Sequence, residues 1–477
     1  MNGNNLRPYQ NNSVIALRKS FSLGHKRVCL CAPTGAGKTR MFCEMAVLHL
    51  KKSQKHKVLI LTHRIEILRQ AGKDFENIQE IKSGHEPDLT QKILVAMAET
   101  LHRRAEKYTN FFASVTMVIC DEVHVSLFDK LYPFFSESCS IIGATATPHR
   151  AGKQLALDNF YTDIVQEIDT PELISLGFLS RPKTYGVDID LKGIKKKGED
   201  YDPKELAQRY SEKKVYDGVI ENYKRICPDS KSILFAANID SAKEVCVKFN
   251  LSGIPSRCID SKTISDFERR QTLEWFKETK NGVLCNVSIL TAGFDQPDIR
   301  TVILYLSTCS ITKYLQMIGR GSRIIPGEKD EFTILDFGNN TKTHNFWEAP
   351  RTWALSKKKK KDKTGAAPAK ICPGCNAMLQ VSLLTCPYCN YIFKQKDSGK
   401  NEFAELMLLS PPEIWKVAKT KTVEEQAKMA KAKLLKPMAV LHSITSKDEG
   451  LSFVKEMGYK PSFAYINRHR FKCFESL

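Results

Sequence analysis

The sequence predicts an α/β protein of two tandem parallel-sheet domains, followed by a small cysteine-bearing module and a helical tail. Two observations carry that prediction. Short apolar runs without in–out alternation recur between helical stretches, as expected for parallel strands covered on both faces. The pattern pauses near residue 180 and resumes after residue 230, so two α/β domains joined near residue 180 is the economical reading. At 477 residues the chain can hold two or three such cores.

In the first half, Val28–Cys31, Val58–Thr62, Ile93–Met97, Thr116–Cys120 and Ile141–Ala144 read as buried strands. In the second, Ile233–Ala236, Val283–Asn286, Val302–Leu306 and Phe332–Asp336 do so, with the sheet ending near Phe337. Between them, the charged stretch Lys192–Lys204 reads as a solvated loop and Ala207–Lys224 as a helix. The organisation expected is therefore residues 1–180 and 181–350 as the two α/β domains and 351–370 as a basic linker containing Lys357–Lys361. Residues 371–395 form the cysteine module and 396–477 a helical basic tail. Pro411, Pro412, Pro437 and Pro461 mark helix boundaries in that tail.

The 42% hydrophobic and 26% charged composition is that of a folded chain. A net charge of +20 attracts polyanions. Residues 351–477 hold 24 Lys/Arg against 11 Asp/Glu, well over half of that excess. No apolar stretch is long enough to span a membrane, and the N-terminus has no apolar signal segment. The expected location is the cytoplasm. Of the 15 cysteines, eleven are scattered, several of them in apolar runs, and a reducing compartment suits them.

The strongest local signal is Ala32-Pro33-Thr34-Gly35-Ala36-Gly37-Lys38-Thr39, between the strand Val28–Cys31 and the helical run Arg40–His49. Gly35 and Gly37 let the backbone curl so that its N–H groups face phosphate oxygens, and the helix N-terminus adds its positive end. Lys38 would meet the β and γ phosphates, and the Thr39 hydroxyl would ligate Mg²⁺. A carboxylate at the end of a neighbouring strand is then required. Asp121, following Val118-Ile119-Cys120, would hold the ion, and Glu122 would orient and deprotonate the attacking water. The chemistry implied is ATP hydrolysis.

In that order, the segments resemble the superfamily 2 helicases of the DExH type over residues 5–337, whose domains are RecA-like. Leu6-Arg7-Pro8-Tyr9-Gln10 resembles the adenine-recognition segment, with Arg7 and Gln10 on the nucleotide side and Gln10 as the adenine contact. Ala32–Thr39 resembles motif I, which implies ATP-binding roles for Thr34, Gly35, Ala36, Gly37, Lys38 and Thr39, and Asp121-Glu122-Val123-His124 resembles motif II. Ala144-Thr145-Ala146-Thr147-Pro148 resembles motif III, implying that Thr145 and Thr147 couple nucleotide state to domain movement. Thr291–Pro297 resembles motif V, which implies nucleotide-side roles for Gly293 and Asp295. Gln316–Arg323 resembles motif VI, in which Gln316, Arg320 and Arg323 face the triphosphate from the second domain. A guanidinium supplied across a cleft makes hydrolysis depend on closure.

The same resemblance implies nucleic-acid contacts at Thr62, His63 and Arg64, at Glu99, Thr100 and Arg103, at Asn238 and at Thr291. Each reads equally well as a loop or cap residue. His63 and His124 have no metal spacing around them.

Cys372-Pro373-Gly374-Cys375 and Cys386-Pro387-Tyr388-Cys389 can place four thiolates around Zn²⁺. Iron is the competing metal, which spacing does not exclude. The tail interleaves aromatic and basic residues over Phe453–Phe471, suited to phosphate contact and stacking or to a small helical packing unit.

Ribbon and tail together resemble bacterial RadD-type DNA repair helicases and their phage-encoded relatives. That resemblance implies an ATP-dependent DNA helicase or translocase on single-stranded, forked or branched DNA in replication, recombination or repair. A single-stranded-DNA-binding protein is a further expected partner. Branch migration, a restriction-type motor, RNA unwinding and ATP-regulated nucleic-acid binding are the competing readings.

Overall fold

The computed structural model describes residues 6–62, 78–84, 86–150, 155–186, 193–197, 200–202, 205, 218–260, 263–287, 290 and 296–356. It also describes the short strand segments 369–371, 378–380 and 407–409, and Phe453. The apolar runs become strands because a run of five or six residues is long enough to cross a sheet and too short for a stable helix. β1 (Arg27–Cys31), β2 (Val58–Thr62), β3 (Gln79–Ile81), β4 (Ile93–Met97), β5 (Met117–Asp121), β6 (Ser140–Thr145) and β7 (Asp163–Val165) form a seven-stranded parallel sheet in the order β3-β4-β2-β5-β6-β1-β7. Every residue of β2 and β5 is buried, as the missing alternation requires. Helices α1 (Pro8–Ser22) and α2 (Lys38–Leu50) pack on this lobe.

The second sheet contains β8 (Arg181–Gly186), β11 (Lys231–Ala236), β12 (Ser256–Ile259), β13 (Gly282–Asn286), β14 (Thr301–Tyr305) and β15 (Glu331–Asp336). Its order is β12-β13-β11-β14-β15-β8, with β18 (Met407–Leu409) outermost. β11, β13 and β14 are buried throughout.

The sequence pattern resumed only after residue 230, yet the second sheet begins at Arg181. The strand Arg-Pro-Lys-Thr-Tyr-Gly has no apolar run to betray it, and its six-residue parallel pairing with β15 holds it in place. The stretch 192–204 is not all loop, because β9 (Lys196–Lys197) and β10 (Asp200–Tyr201) pair antiparallel within it. Asp200 accepts hydrogen bonds from Thr308 Oγ1 at 2.8 Å and the Cys309 N–H at 2.6 Å, docking that hairpin beside β14. The helix expected over Ala207–Lys224 is described only as Val219–Ile226.

β16 (Ala369–Ile371) and β17 (Met378–Gln380) form an antiparallel pair on either side of Cys372 and Cys375. All four module cysteines, the Lys357–Lys361 run and the tail apart from Met407–Leu409 and Phe453 lie outside the described residues. Among the described residues no helix is long and apolar enough to cross a membrane.

Candidate nucleotide site in the cleft

The turn after β1 is shaped by its glycines and hooked from α1. Gly35 and Gly37 have φ of +90° and +78°, the left-handed region that costs other residues energy. Tyr9 Oη and Gln10 Nε2 both donate to Ala36 O at 3.0 Å. A Cβ on Gly37 would lie 2.5 Å from Gln10 Nε2. Gln10 Oε1 accepts from the Arg7 N–H at 3.0 Å, and the residue is 2% exposed. Both ends of the Gln10 amide are thus engaged inside the protein, where they brace the glycine turn. Arg7 lies over the Phe178 ring at 3.9 Å and donates to Tyr9 Oη. Lys38 Nζ donates to Ala32 O and Pro33 O at 3.1 and 3.3 Å, so its ammonium folds over the turn onto carbonyls with which phosphate oxygens would compete.

Asp121 closes β5 and is 5% exposed. The sequence placed the carboxylates on a neighbouring strand; β6 in fact lies between β5 and β1. Both strands still end at the same edge because the sheet is parallel. Glu122 adopts φ +55°, turning the chain sharply as it leaves the sheet. His124 Nδ1 lies 2.9 Å from Thr145 Oγ1 and 3.2 Å from Glu122 Oε2. The Thr145 hydroxyl donates to Thr147 O at 3.2 Å and accepts the Thr147 N–H at 3.1 Å. With its one proton so used, the hydroxyl can only accept from Nδ1–H. The acidic turn and the segment after β6 are therefore joined through one imidazole.

Arg150 adds a second tie. It pairs with Asp129 through both terminal nitrogens at 2.7 and 2.8 Å and donates to Val123 O at 2.9 Å. Nothing in its spacing announced that role.

The second lobe brings the helix Ile311–Ile318 and the turn after it against the phosphate loop. A Cβ on Gly319 would lie 3.0 Å from Thr34 Cγ2. Arg323 Nη1 lies 3.9 Å from the position a Cβ on Gly35 would take. Arg320 is 8% exposed. Gln316 Nε2 is buried with no hydrogen-bond partner among the described residues, a donor that a triphosphate oxygen would satisfy. Gln316, Arg320 and Arg323 thus belong to the segment that meets the loop carrying Thr34–Thr39.

Two further residues hold this turn, and sequence reasoning missed both. Lys329 Nζ donates to Pro297 O, Gly321 O and Arg323 O at 2.9, 2.7 and 2.7 Å. Burial pushes its ammonium down to about 7. Ser180 donates its N–H to Ser322 O at 2.8 Å and its hydroxyl to Arg323 O at 2.7 Å. A lone lysine between loops and a serine before a strand carry no pattern by which they could have been found.

The expected nucleic-acid contacts divide. Thr62 has no exposed surface at the end of β2, so its side chain is a strand-end core group rather than a surface contact. Glu99 and Arg103 are exposed on the short helix Ala98–Arg103, with Thr100 half-buried between them. Asn238 caps the helix Ile239–Leu251, its Oδ1 accepting the Ser241 N–H at 2.8 Å. His63, Arg64, Thr291, Gly293 and Asp295 lie outside the described residues.

A left-handed glycine turn at a helix N-terminus, a carboxylate at the same sheet edge and a buried unsatisfied amide opposite fit a nucleoside triphosphate. Thr39 and Asp121 are oxygen donors of the kind Mg²⁺ takes. When bound, the ion neutralises phosphate charge. Two α/β lobes with that site between them define a nucleotide-driven motor ATPase.

Comparison with known proteins narrows the class. Residues 4–150 match the family described as Type III restriction enzyme, res subunit, and residues 218–325 match the helicase conserved C-terminal domain. A 51.5 kDa protein of a Lactococcus phage is 27% identical over 393 residues, covering 80% of this chain and 82% of that one. The putative ATP-dependent helicase IRC3 of Saccharomyces cerevisiae is 30% identical over 358 residues, covering 70% of this chain and 51% of the yeast protein. The match thus spans about half the yeast relative's length. A solved fragment of a putative HsdR subunit of a type I restriction enzyme from Vibrio vulnificus shares the fold, with a TM-score of 0.56 at 21% identity, covering 71% of this chain and 65% of that one. The chain belongs to the superfamily 2 helicases and is an enzyme of the ATPase/helicase class.

Proposed function

We propose that the chain is an ATP-dependent DNA helicase or translocase acting on forked, branched or partly single-stranded DNA in replication, recombination or repair. The observation that carries the motor reading is the meeting of Gly319 with Thr34 and of Arg323 with Gly35. Lys38 and the loop amides bind the triphosphate, Glu122 takes the proton of the attacking water, and Arg323, Arg320 and Gln316 act from the opposite lip. Hydrolysis then requires the lobes to be together. Product release lets them part, and alternating grips on a phosphate backbone move the enzyme along a strand.

DNA is favoured over RNA by the basic 351–477 region and by the cysteine module. We assign Cys372, Cys375, Cys386 and Cys389 to one Zn²⁺, a reading supported by the β16/β17 pair bracketing the first two. Domain limits of 1–180, 181–350, 351–370, 371–395 and 396–477 go with this reading, as do the RadD-type resemblance and a single-stranded-DNA-binding partner. A restriction-type motor is the second reading, favoured by the match of residues 4–150.

ATP turnover with and without single-stranded DNA, duplex DNA and RNA is the first test. Stimulation by DNA above RNA supports the proposal, and no stimulation by any polynucleotide sinks it. Fork and junction substrates then separate unwinding from branch migration. DNA cleavage appearing only with added partner subunits would favour the restriction reading. One zinc per chain, lost in Cys386→Ser, is expected by metal analysis.

A further inference from the structure

Three consecutive residues cross from the first lobe into β8, and each touches a different part of the nucleotide site. The Phe178 ring lies under Arg7 at 3.9 Å and 5.6 Å from the Tyr9 ring, on the segment that hooks the phosphate loop. Leu179 Cδ2 is 2.7 Å from where a Cβ on Gly35 would sit, so this side chain fills the room the glycine leaves, and Leu179 is 2% exposed. Ser180, with no exposed surface, gives its N–H to Ser322 O and its hydroxyl to Arg323 O. Within one dipeptide the chain passes from contact with the loop that takes the phosphates to a hydrogen bond with the arginine opposite.

We propose that Leu179 and Ser180 couple occupation of the phosphate loop to the placement of Arg323, with Ser180 as a positioning residue for that arginine. The inference rests on the reading above that Arg323 serves ATP hydrolysis.

The physical basis is contact without slack. Close-packed interiors transmit displacement because they have few voids to absorb it. A shift of the Gly35 backbone when phosphate seats displaces Leu179, and Ser180 is bonded to it. The Arg323 carbonyl has two holds: Ser180 Oγ from the crossing peptide and Lys329 Nζ from within the second lobe, each at 2.7 Å. Lys329 fixes the turn to its own sheet, leaving Ser180 as the hold that answers to the first lobe. This route is separate from the His124–Thr145 link, which runs through the acidic turn.

The test is a double-mutant cycle in the full-length protein on Ser180→Ala and Arg323→Ala, reading kcat and KM for ATP at saturating single-stranded DNA. The dissociation constant of a fluorescent ATP analogue is measured alongside. Ser180→Ala is expected to lower kcat about tenfold, the equivalent of one hydrogen bond, with KM and analogue binding within about twofold of the parent. In the Arg323→Ala background it should cost almost nothing further, because its effect runs through that side chain. A tenfold loss that persists undiminished there overturns the proposal, as does a kcat unchanged by Ser180→Ala. If Arg323→Ala itself leaves turnover intact, the underlying assignment of Arg323 fails, and that result is distinct from the other two.

Discussion

The two lips of the cleft hold their backbones by opposite means. On the first lip, glycines supply conformation: Gly35 and Gly37 take positive φ, and Tyr9 and Gln10 pin the intervening Ala36 carbonyl. On the second lip, glycines supply room, and neither takes positive φ. Gly319 makes space for Thr34, and a Cβ on Gly321 would lie 2.7 Å from both Phe332 and Val302. The conformation there comes from outside the turn, through Lys329 and Ser180 bonded to its carbonyls. A phosphate cradle must offer its N–H groups outward, so it can only be held by its carbonyls or its bends. A turn that delivers guanidinium groups across a cleft needs its backbone fixed.

Arg323→Ala is expected to lower kcat for DNA-stimulated ATP hydrolysis by about 10³-fold or more, the range for a guanidinium supplied to a phosphoryl transfer. Binding of an ATP analogue should change only a few-fold. A variant with near-parental kcat would mean that the second lip contributes shape alone.

Lys329→Met attacks the hold on the same lip. It leaves three carbonyls without the buried donor that now serves them, which should cost about 2–4 kcal/mol in denaturant unfolding. A change under about 0.5 kcal/mol would show that the turn keeps its shape without the ammonium.

The two kinds of glycine can be set against each other directly. Gly37→Ala puts a Cβ against Gln10 in a left-handed backbone, so KM for ATP should rise about tenfold, with strain of roughly 1–2 kcal/mol. Gly321→Ala meets core side chains, so it should lower stability by roughly 1–3 kcal/mol and leave KM nearly alone. If the two variants exchanged these signatures, the distinction between bend and room would be lost.

What the sequence showed of this architecture follows the same division. The first lip was legible because a bend needs glycines at fixed offsets between a strand and a helix. The buried strands were equally plain, and Val58–Thr62 and Ile93–Met97 have the predicted limits. β8 was not, since Arg181–Gly186 draws its strand character from β15 rather than from its own residues. Lys329 and Ser180 were invisible for a related reason. A residue whose work is done on distant carbonyls needs a donor at one point in space, and sequence spacing does not encode that point. Gln10 stands out in the sequence as a nucleotide-side residue, and its amide bonds to Ala36 O and the Arg7 N–H could only be seen in the structure. Thr62 was found by resemblance, and burial at the end of β2 gives it a different surrounding.

The smallest expected effect lies behind the second lip, where the chain leaving β15 returns to the first lobe. Gln166 Nε2 donates to Arg351 O at 2.7 Å, and the Trp353 N–H donates to Gln166 Oε1 at 3.0 Å. Arg351 is spent on carbonyls of His344, Phe346, Trp347 and Ala349. Beside it, Glu348 Oε2 is buried with no hydrogen-bond partner among the described residues, and burial pushes the carboxyl up to about 7 despite the nearby guanidinium. A carboxyl that binds its proton more tightly folded than unfolded favours folding at low pH. That contribution is complete below about 4.5, fades as pH rises towards 7 and is absent above. Glu348→Gln keeps the shape and removes the titration. It should therefore stabilise the protein at pH 8 by about 1 kcal/mol, with roughly 3 kcal/mol as the upper bound, and do nothing near pH 4.5. Urea midpoints of parent and variant at the two pH values decide it. A shift of the same size at both would place the effect in packing, and the second lip would then have no charge held against burial behind it.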